Sequence, residues 1–166
     1  RLIVVPRHPK RISEILKGFA EAGSSPQLLS ELRMGEVPDP SRPAIVDTIG
    51  ELERVFGLAD IAFVGGSLVP HGGQNMLEPA AQGCPVLTGP HLENFTQEAA
   101  LLTRALAVRI VANSKELTLA FTELGQNAEL RSMMGAAGME ATRAQQGAAA
   151  LTIRALQVSC LPQIPS

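Results

Sequence analysis

The stretch FVGGSLVPHGGQNMLEP, Phe63 to Pro79, decides the fold, because it joins an apolar strand to a helix start through two glycine pairs. Ala62, Phe63 and Val64 read as the end of a buried strand. Gly65 and Gly66 let the backbone turn sharply and approach a ligand closely, and Ser67 adds a hydroxyl donor. A second loop, His71 to Gln74, leads into a helix for which Asn75 is the expected N-cap. Glu78 then completes a capping box and lies buried at the helix start. Free N–H groups and the positive end of the helix dipole would face that loop, an arrangement suited to phosphate. The bland alternative stays open: Glu78 only caps the helix, and Pro79 only fills a first-turn position where a missing N–H costs little. Against it stands the convergence of Ser67, His71, Asn75 and Glu78 in one connection, since a structural turn needs only one or two special residues.

Working outward, the same beat of strand and helix recurs along the chain. Leu2 to Val5 is an apolar run with no preceding cap, which reads as the edge of a strand in a piece of something longer. Ile12, Ile15, Leu16 and Phe19 recur at helical spacing up to Gly23. Gln27 to Leu32 reads as a short strand, Gly35 to Pro43 as a loop, and Ala44 to Val46 as a brief strand ending at Asp47-Thr48. A helix from Glu51 stops near Gly57, and the strand at Ile61 to Val64 follows. Beyond the Asn75 helix come a stop at Gly83, a buried strand at Pro85 to Thr88 and a turn at Gly89-Pro90-His91. Phe95 to Ala107 reads as a helix, Val108 to Ala112 as a strand, and Ser114 as the cap of a helix through Leu124. Asn127 onward reads as helical to about Cys160, interrupted near Gly135, Gly138 and Gly147, with a frayed Pro-containing tail after Leu161.

Strands alternating with helices imply an α/β domain, a parallel six-stranded sheet covered on both faces, in which all strand C-terminal ends share one edge. The residues at those ends are Arg7-His8, Arg33, Asp47-Thr48, Gly65-Gly66-Ser67 and Gly89-Pro90-His91, where doubly wound sheets bind ligands.

At 166 residues the chain fits one domain with a real core. No apolar run approaches the length needed to cross a bilayer, so the chain is expected to be soluble. A formal net charge of -2 and the absence of Trp and Tyr argue against binding nucleic acid strands. Cys84 and Cys160 lack metal-ligand spacing and read as free thiols, Cys84 as a small buried side chain.

Arg7 and His8 leave the first strand before Pro9, whose ring holds His8 extended and fixes where both side chains point. Arg7 suits a phosphate, since a guanidinium donates two parallel hydrogen bonds, and His8 could add another. The competing reading pairs Arg7 with Glu14 or Asp47. Lys10 and Arg11 read as a solvated face. Glu78 would accept hydrogen bonds from vicinal hydroxyls such as those of a ribose, and His71 and His91 are either bases or ordinary loop histidines. Neither a nucleophile–base–orienter set, nor a Cys/His metal cluster, nor a Walker lysine, nor a GxGxxG fingerprint is present, which argues against a nicotinamide or flavin cofactor.

These residues resemble the 3-deoxy-D-manno-octulosonic acid (Kdo) transferase family of lipopolysaccharide synthesis. PRHPKR at Pro6 to Arg11, DTIGEL at Asp47 to Leu52 and ADIAFVGGSL at Ala59 to Leu68 look like that family's blocks, in order. So do GGQNMLEPAAQGCPVLTGPH at Gly72 to His91 and Asn94-Phe95. The resemblance implies a Rossmann-like C-terminal half of a GT-B glycosyltransferase, with residues 1–166 binding CMP-Kdo. The catalytic base, the site for a lipid A precursor and the membrane association would belong to an N-terminal half, at the cytoplasmic face of the bacterial inner membrane. It further implies that Arg7 and Ser67, with N–H groups of the loop at Gly66, hold the CMP phosphate. Asn75 and Glu78 would lie near the ribose, and the Gly50 loop would border the cytosine. His8 and Asn94 would be additional donor contacts, with no metal and no cofactor. Transfer would invert the Kdo anomeric carbon, and this half alone would be inactive. One position departs from the pattern: the family has His where this chain has Gln74, which can donate a hydrogen bond but cannot become cationic. The residues by themselves also accommodate a GT-B enzyme using a UDP- or GDP-sugar, or a nonenzymatic nucleotide-binding or protein-interaction module.

Overall fold

The computed structural model describes the backbone of residues 1–160 and the side-chain surroundings of residues 1–145. The expected tail after Leu161 and the expected free thiol of Cys160 lie outside those described residues. The chain divides into two compact units, Arg1–Val55 and Phe56–Ser166. All six expected strands form and all pair in parallel, but their ladders close into two sheets of three instead of one run of six. Apolar periodicity reveals a strand and its direction. It does not reveal which strand lies beside it.

In the first unit β1 (Ile3–Val4), β2 (Gln27–Leu28) and β3 (Ala44–Ile45) lie in the order β1-β3-β2. Ile45, in the central strand, is wholly buried. A 3-10 turn, Pro9–Arg11, precedes α1 (Ile12–Glu21), and α2 (Leu29–Arg33) follows β2 directly. The strand expected over Gln27 to Leu32 therefore stops at Leu28. Its second half turns helical because the Asp47 carboxylate accepts both the N–H of Ser30, at 2.9 Å, and its hydroxyl, satisfying a donor of the first helical turn. Gln27 is buried with every polar function used: Nε2 donates to Glu36 Oε1 and to the Val37 carbonyl, each at 2.9 Å, and Oε1 accepts from Asp39 N at 2.8 Å. Those bonds hold the proline-rich loop against its sheet.

The second unit is a βαβαβ run with β4 (Ala62–Val64), β5 (Val86–Thr88) and β6 (Val108–Ile110) side by side in chain order. Helix α3 (Leu52–Leu58) precedes it and ends beside Gly57, near the expected stop. Helices α4 (Leu77–Ala81), α5 (Thr96–Arg104), α6 (Ser114–Gln126) and α7 (Ala128–Cys160) complete the fold. All three β5 residues are buried, so successive side chains feed two cores, as a strand covered on both faces must. Val86 packs with Val64, Met76, Ala80 and Leu102, whereas Leu87 packs with Val111, Ala120, Leu124 and Met134.

Helix boundaries differ from expectation where caps decide them. Asn113, one residue before the expected Ser114, is the N-cap of α6: its Oδ1 accepts from Lys115 N and Glu116 N, both at 3.0 Å. The final helix runs unbroken from Ala128 to Cys160 through the glycines expected to interrupt it. Gly135 and Gly138 act as contact points instead. A Cβ at Gly135 would collide with the Gly83 carbonyl, and one at Gly138 would meet the Ala80 and Ala107 Cβ atoms at 3.3 Å. Missing side chains let α7 lie directly on the end of α4, which is why the helix tolerates residues that otherwise weaken it.

Gly135→Ala should lower unfolding stability by roughly 1–3 kcal/mol despite the better helix propensity, because the methyl group overfills the contact. Gly125→Ala in α6, where an added Cβ meets nothing within 4 Å, is the control and should not destabilise. Denaturant titration separates the two. Equal stability of both variants would contradict the seating of α7.

Candidate functional site

The loop leaving β4 is held by one buried hydroxyl. Ser67 is fully buried; its Oγ donates to the Val64 carbonyl at 2.7 Å and accepts from Gly89 N at 2.8 Å. The Ser67 carbonyl accepts from His91 N at 3.0 Å, so the β4 and β5 exits are tied through a single residue. Sequence reading expects this hydroxyl to face an anionic ligand; the structure spends both of its functions internally. The partner across the sheet edge lies 22 positions away, which no local pattern reveals.

Further bonds extend the weave. Gly73 N donates to the Gly66 carbonyl at 2.9 Å, and Asn94 N donates to the Gly72 carbonyl at 3.2 Å. Gly72 adopts φ 79°, and a Cβ there would strike the Asn94 carboxamide, so this position requires glycine on both counts. Gly66, Ser67, Asn75, Glu78 and Asn94 thus sit on loops at the C-terminal edge of one small parallel sheet and on the helix it feeds.

The start of α4 departs from a capping box. Met76 is the N-cap and gives no side-chain bond. Asn75, one residue earlier, accepts from Leu77 N at 3.0 Å and donates from Nδ2 to Glu78 Oε1 at 2.9 Å. Glu78 is exposed, not buried as expected, and its carboxylate is oriented by the Asn75 amide. The side-chain bond replaces the reciprocal backbone bond because the helix starts one residue later than the sequence pattern implies. An oriented, accessible carboxylate is a hydrogen-bond acceptor ready for hydroxyl groups.

In the first unit Arg7 and His8 are exposed at the exit of β1, and His8 is extended at φ −123°, ψ 119°, as a residue before proline should be. Glu14 takes a forked bond from Arg11 at 3.0 and 2.9 Å, and Asp47 holds Ser30. Burial pushes the Asp47 carboxyl up, but the Ser30 hydrogen bonds, its own backbone N–H and the Arg33 charge together outweigh it and leave the group below the ordinary carboxylate range. Gly50, exposed with φ 87°, follows Asp47 on the loop leaving β3.

The remaining candidates play smaller parts. His71 is exposed, and His91 Nδ1 lies 3.4 Å from Glu93 Oε1. Cys84 is a buried free thiol; burial first, and the Asp60 charge second, raise it to about 11, so it is a poor nucleophile at neutral pH. Among the described residues no group of three or more His, Cys, Asp or Glu is placed to hold a metal ion, and no helix is long and apolar enough to cross a membrane.

A parallel α/β domain with a latched glycine loop at its strand ends defines a class of phosphate- and nucleotide-binding folds. No family model matches the chain. It is 37% identical over 152 residues to 3-deoxy-D-manno-octulosonic acid transferase of Haemophilus influenzae, covering 89% of this chain and 34% of that protein. It is 35% identical over 158 residues to the enzyme of the same name from Bordetella pertussis, covering 94% and 36%. The chain therefore spans about a third of the length of these curated relatives. Among solved structures it matches the crystal structure of the C-terminal CMP-Kdo binding domain of WaaA from Acinetobacter baumannii. The TM-score is 0.77, with 29% identity over 84% of this chain and 72% of that one. Over most of its length the chain is similar to 3-deoxy-D-manno-octulosonic acid transferases.

Ser67→Ala leaves the Gly89 N–H without its acceptor in a closed environment, a loss of roughly 1–3 kcal/mol. Amide hydrogen exchange should show Gly89 and His91 losing protection ahead of the β5 core. Unchanged protection at Gly89 would contradict the latch.

Proposed function

We propose that this chain is the donor-binding part of a Kdo transferase that moves Kdo from CMP-Kdo to a lipid A precursor in lipopolysaccharide synthesis. The observation that carries the reading is the latched glycine loop, which holds strand-end backbone and the Asn75–Glu78 pair in fixed relation. Likeness to a domain described as CMP-Kdo binding supports the choice of nucleotide.

The roles divide by chemistry. Arg7 presents a guanidinium to the phosphate, with His8 as a second donor. Loop N–H groups at Gly66 and Ser67 donate to phosphate, Ser67 serving through the backbone its hydroxyl fixes and not through the hydroxyl itself. Glu78, oriented by Asn75, accepts from the ribose hydroxyls, Asn94 lines the loop, and the Gly50 loop borders the cytosine. Gln74 contributes a neutral donor where the family pattern has His.

The reaction is a direct displacement with inversion. The acceptor hydroxyl attacks the Kdo anomeric carbon, the bond from that carbon to the CMP phosphate oxygen breaks, and CMP leaves with the electron pair. The hydroxyl proton passes to a base contributed from outside this chain, so the chain by itself binds donor without turnover. Negative charge on the departing phosphate grows in the transition state, and donors already in place bind it more tightly there than in the ground state. Neither a metal nor a cofactor has a role in this scheme. The acceptor site and the membrane association belong to the rest of the enzyme, at the cytoplasmic face of the inner membrane.

Donor kinetics on the full-length transferase test this directly. Kdo transfer from CMP-Kdo should be observed, and Arg7→Ala should lower kcat/KM more than tenfold, about 1.4 kcal/mol or more of transition-state stabilisation. Unchanged kinetics in Arg7→Ala would remove Arg7 from the phosphate, and no transfer from CMP-Kdo by the parent enzyme would overturn the reading.

A further inference from the structure

Two side-chain hydroxyls among the described residues are shut off from solvent with no hydrogen-bond partner in the protein, those of Thr48 and Thr88. Thr88 is the sharper case, because the whole residue is buried, at 0% exposure. It is the last residue of β5, the central strand of the second unit's sheet. The backbone around it is engaged: the Thr88 carbonyl accepts from Val111 N at 2.8 Å, and the next residue, Gly89, gives its N–H to Ser67 Oγ. The side-chain hydroxyl is what is left over.

Valine has nearly the shape of threonine and no group that needs a partner. Two residues earlier the same strand uses it at an equally buried position, Val86. By strand alternation Thr88 faces the same side as Val86, toward the layer of α4 and α5 that supplies Ala80, Ala99 and Leu102. A hydroxyl in that apolar layer gives up its hydration on folding, and leaving it unmet sacrifices stability that valine would keep. Whatever meets it must be polar and small enough to stay inside a closed core. Water satisfies both conditions, whereas a sugar, a phosphate or a nucleotide cannot reach a hydroxyl that has no exposed surface.

We propose that Thr88 Oγ1 seats an ordered internal water beside the Ser67 latch. The hydroxyl offers the water a donor and an acceptor. Carbonyls at the strand exits, each with a second lone pair, supply its other contacts, and Val64, paired with Thr88 in the register, brings one of them alongside. Internal waters are an ordinary part of folded chains, on the order of one per 27 residues, so a chain of 166 residues is expected to hold several. This one fastens the exit of β5 at the residue next to the amide that the Ser67 hydroxyl holds. The inference concerns the second unit alone and is independent of the ligand that its loops take.

Oxygen-17 relaxation dispersion on the 166-residue chain counts long-lived internal waters, and the near-isosteric Thr88→Val removes only the hydroxyl. The variant should lose one such water and unfold about 2–4 °C lower, because the water's remaining partners go unmet. Thr88→Ser, which keeps the hydroxyl, should retain the water even though the lost methyl group costs stability of its own. An unchanged water count in Thr88→Val overturns the inference. So does a higher unfolding midpoint in that variant, since relief on removing the hydroxyl means that it had no partner.

Discussion

One serine hydroxyl, sealed between the Val64 carbonyl and the Gly89 amide, is the constraint on which the second unit's functional edge depends. A polar group with no access to water must find partners inside, and this one finds a donor on one strand exit and an acceptor on another. The Ser67 and Gly66 carbonyls then accept from His91 and Gly73, and Gly72 closes on Asn94. Loops that would otherwise wander become part of the sheet's rigid frame. What the frame presents is backbone at the strand ends and the exposed Glu78, fixed by Asn75. Preorganisation of this kind is what a site needs when charge develops on a bound phosphate.

Much of this was legible in the chain itself, for identifiable reasons. Six short apolar runs, all but the second followed by a helical pattern, implied parallel pairing, because no turn between them is short enough for a hairpin. Within each sheet the strand C-terminal ends share one edge for the same reason. The pre-proline extension of His8 came from sterics within one residue pair, and it holds. What sequence missed was nonlocal or depended on a partner. Strand ladders grouped three and three because neighbour choice is set by packing. The helix in place of a strand at Leu29–Arg33 depended on Asp47, distant in the chain. Gly135 and Gly138 read as helix breaks because glycine looks the same whether it ends a helix or lets another element touch it.

The candidate residues divide along the same line. Their identities were visible: the glycine pairs, Arg7, Asn75 and Glu78 stand out by type and spacing. Their roles were less so. Ser67 reads as a ligand donor until its burial is known, and Glu78 reads as a buried cap until α4 is seen to start later.

The central claim is that these loops recognise a cytidylate. An NMR titration of the chain with CMP, UDP and GDP puts it to the test most directly. The account predicts tightest binding by CMP, with the largest amide shifts at Gly50 and at Gly66-Ser67. Preference for UDP or GDP, or shifts confined to other parts of the molecule, would contradict it.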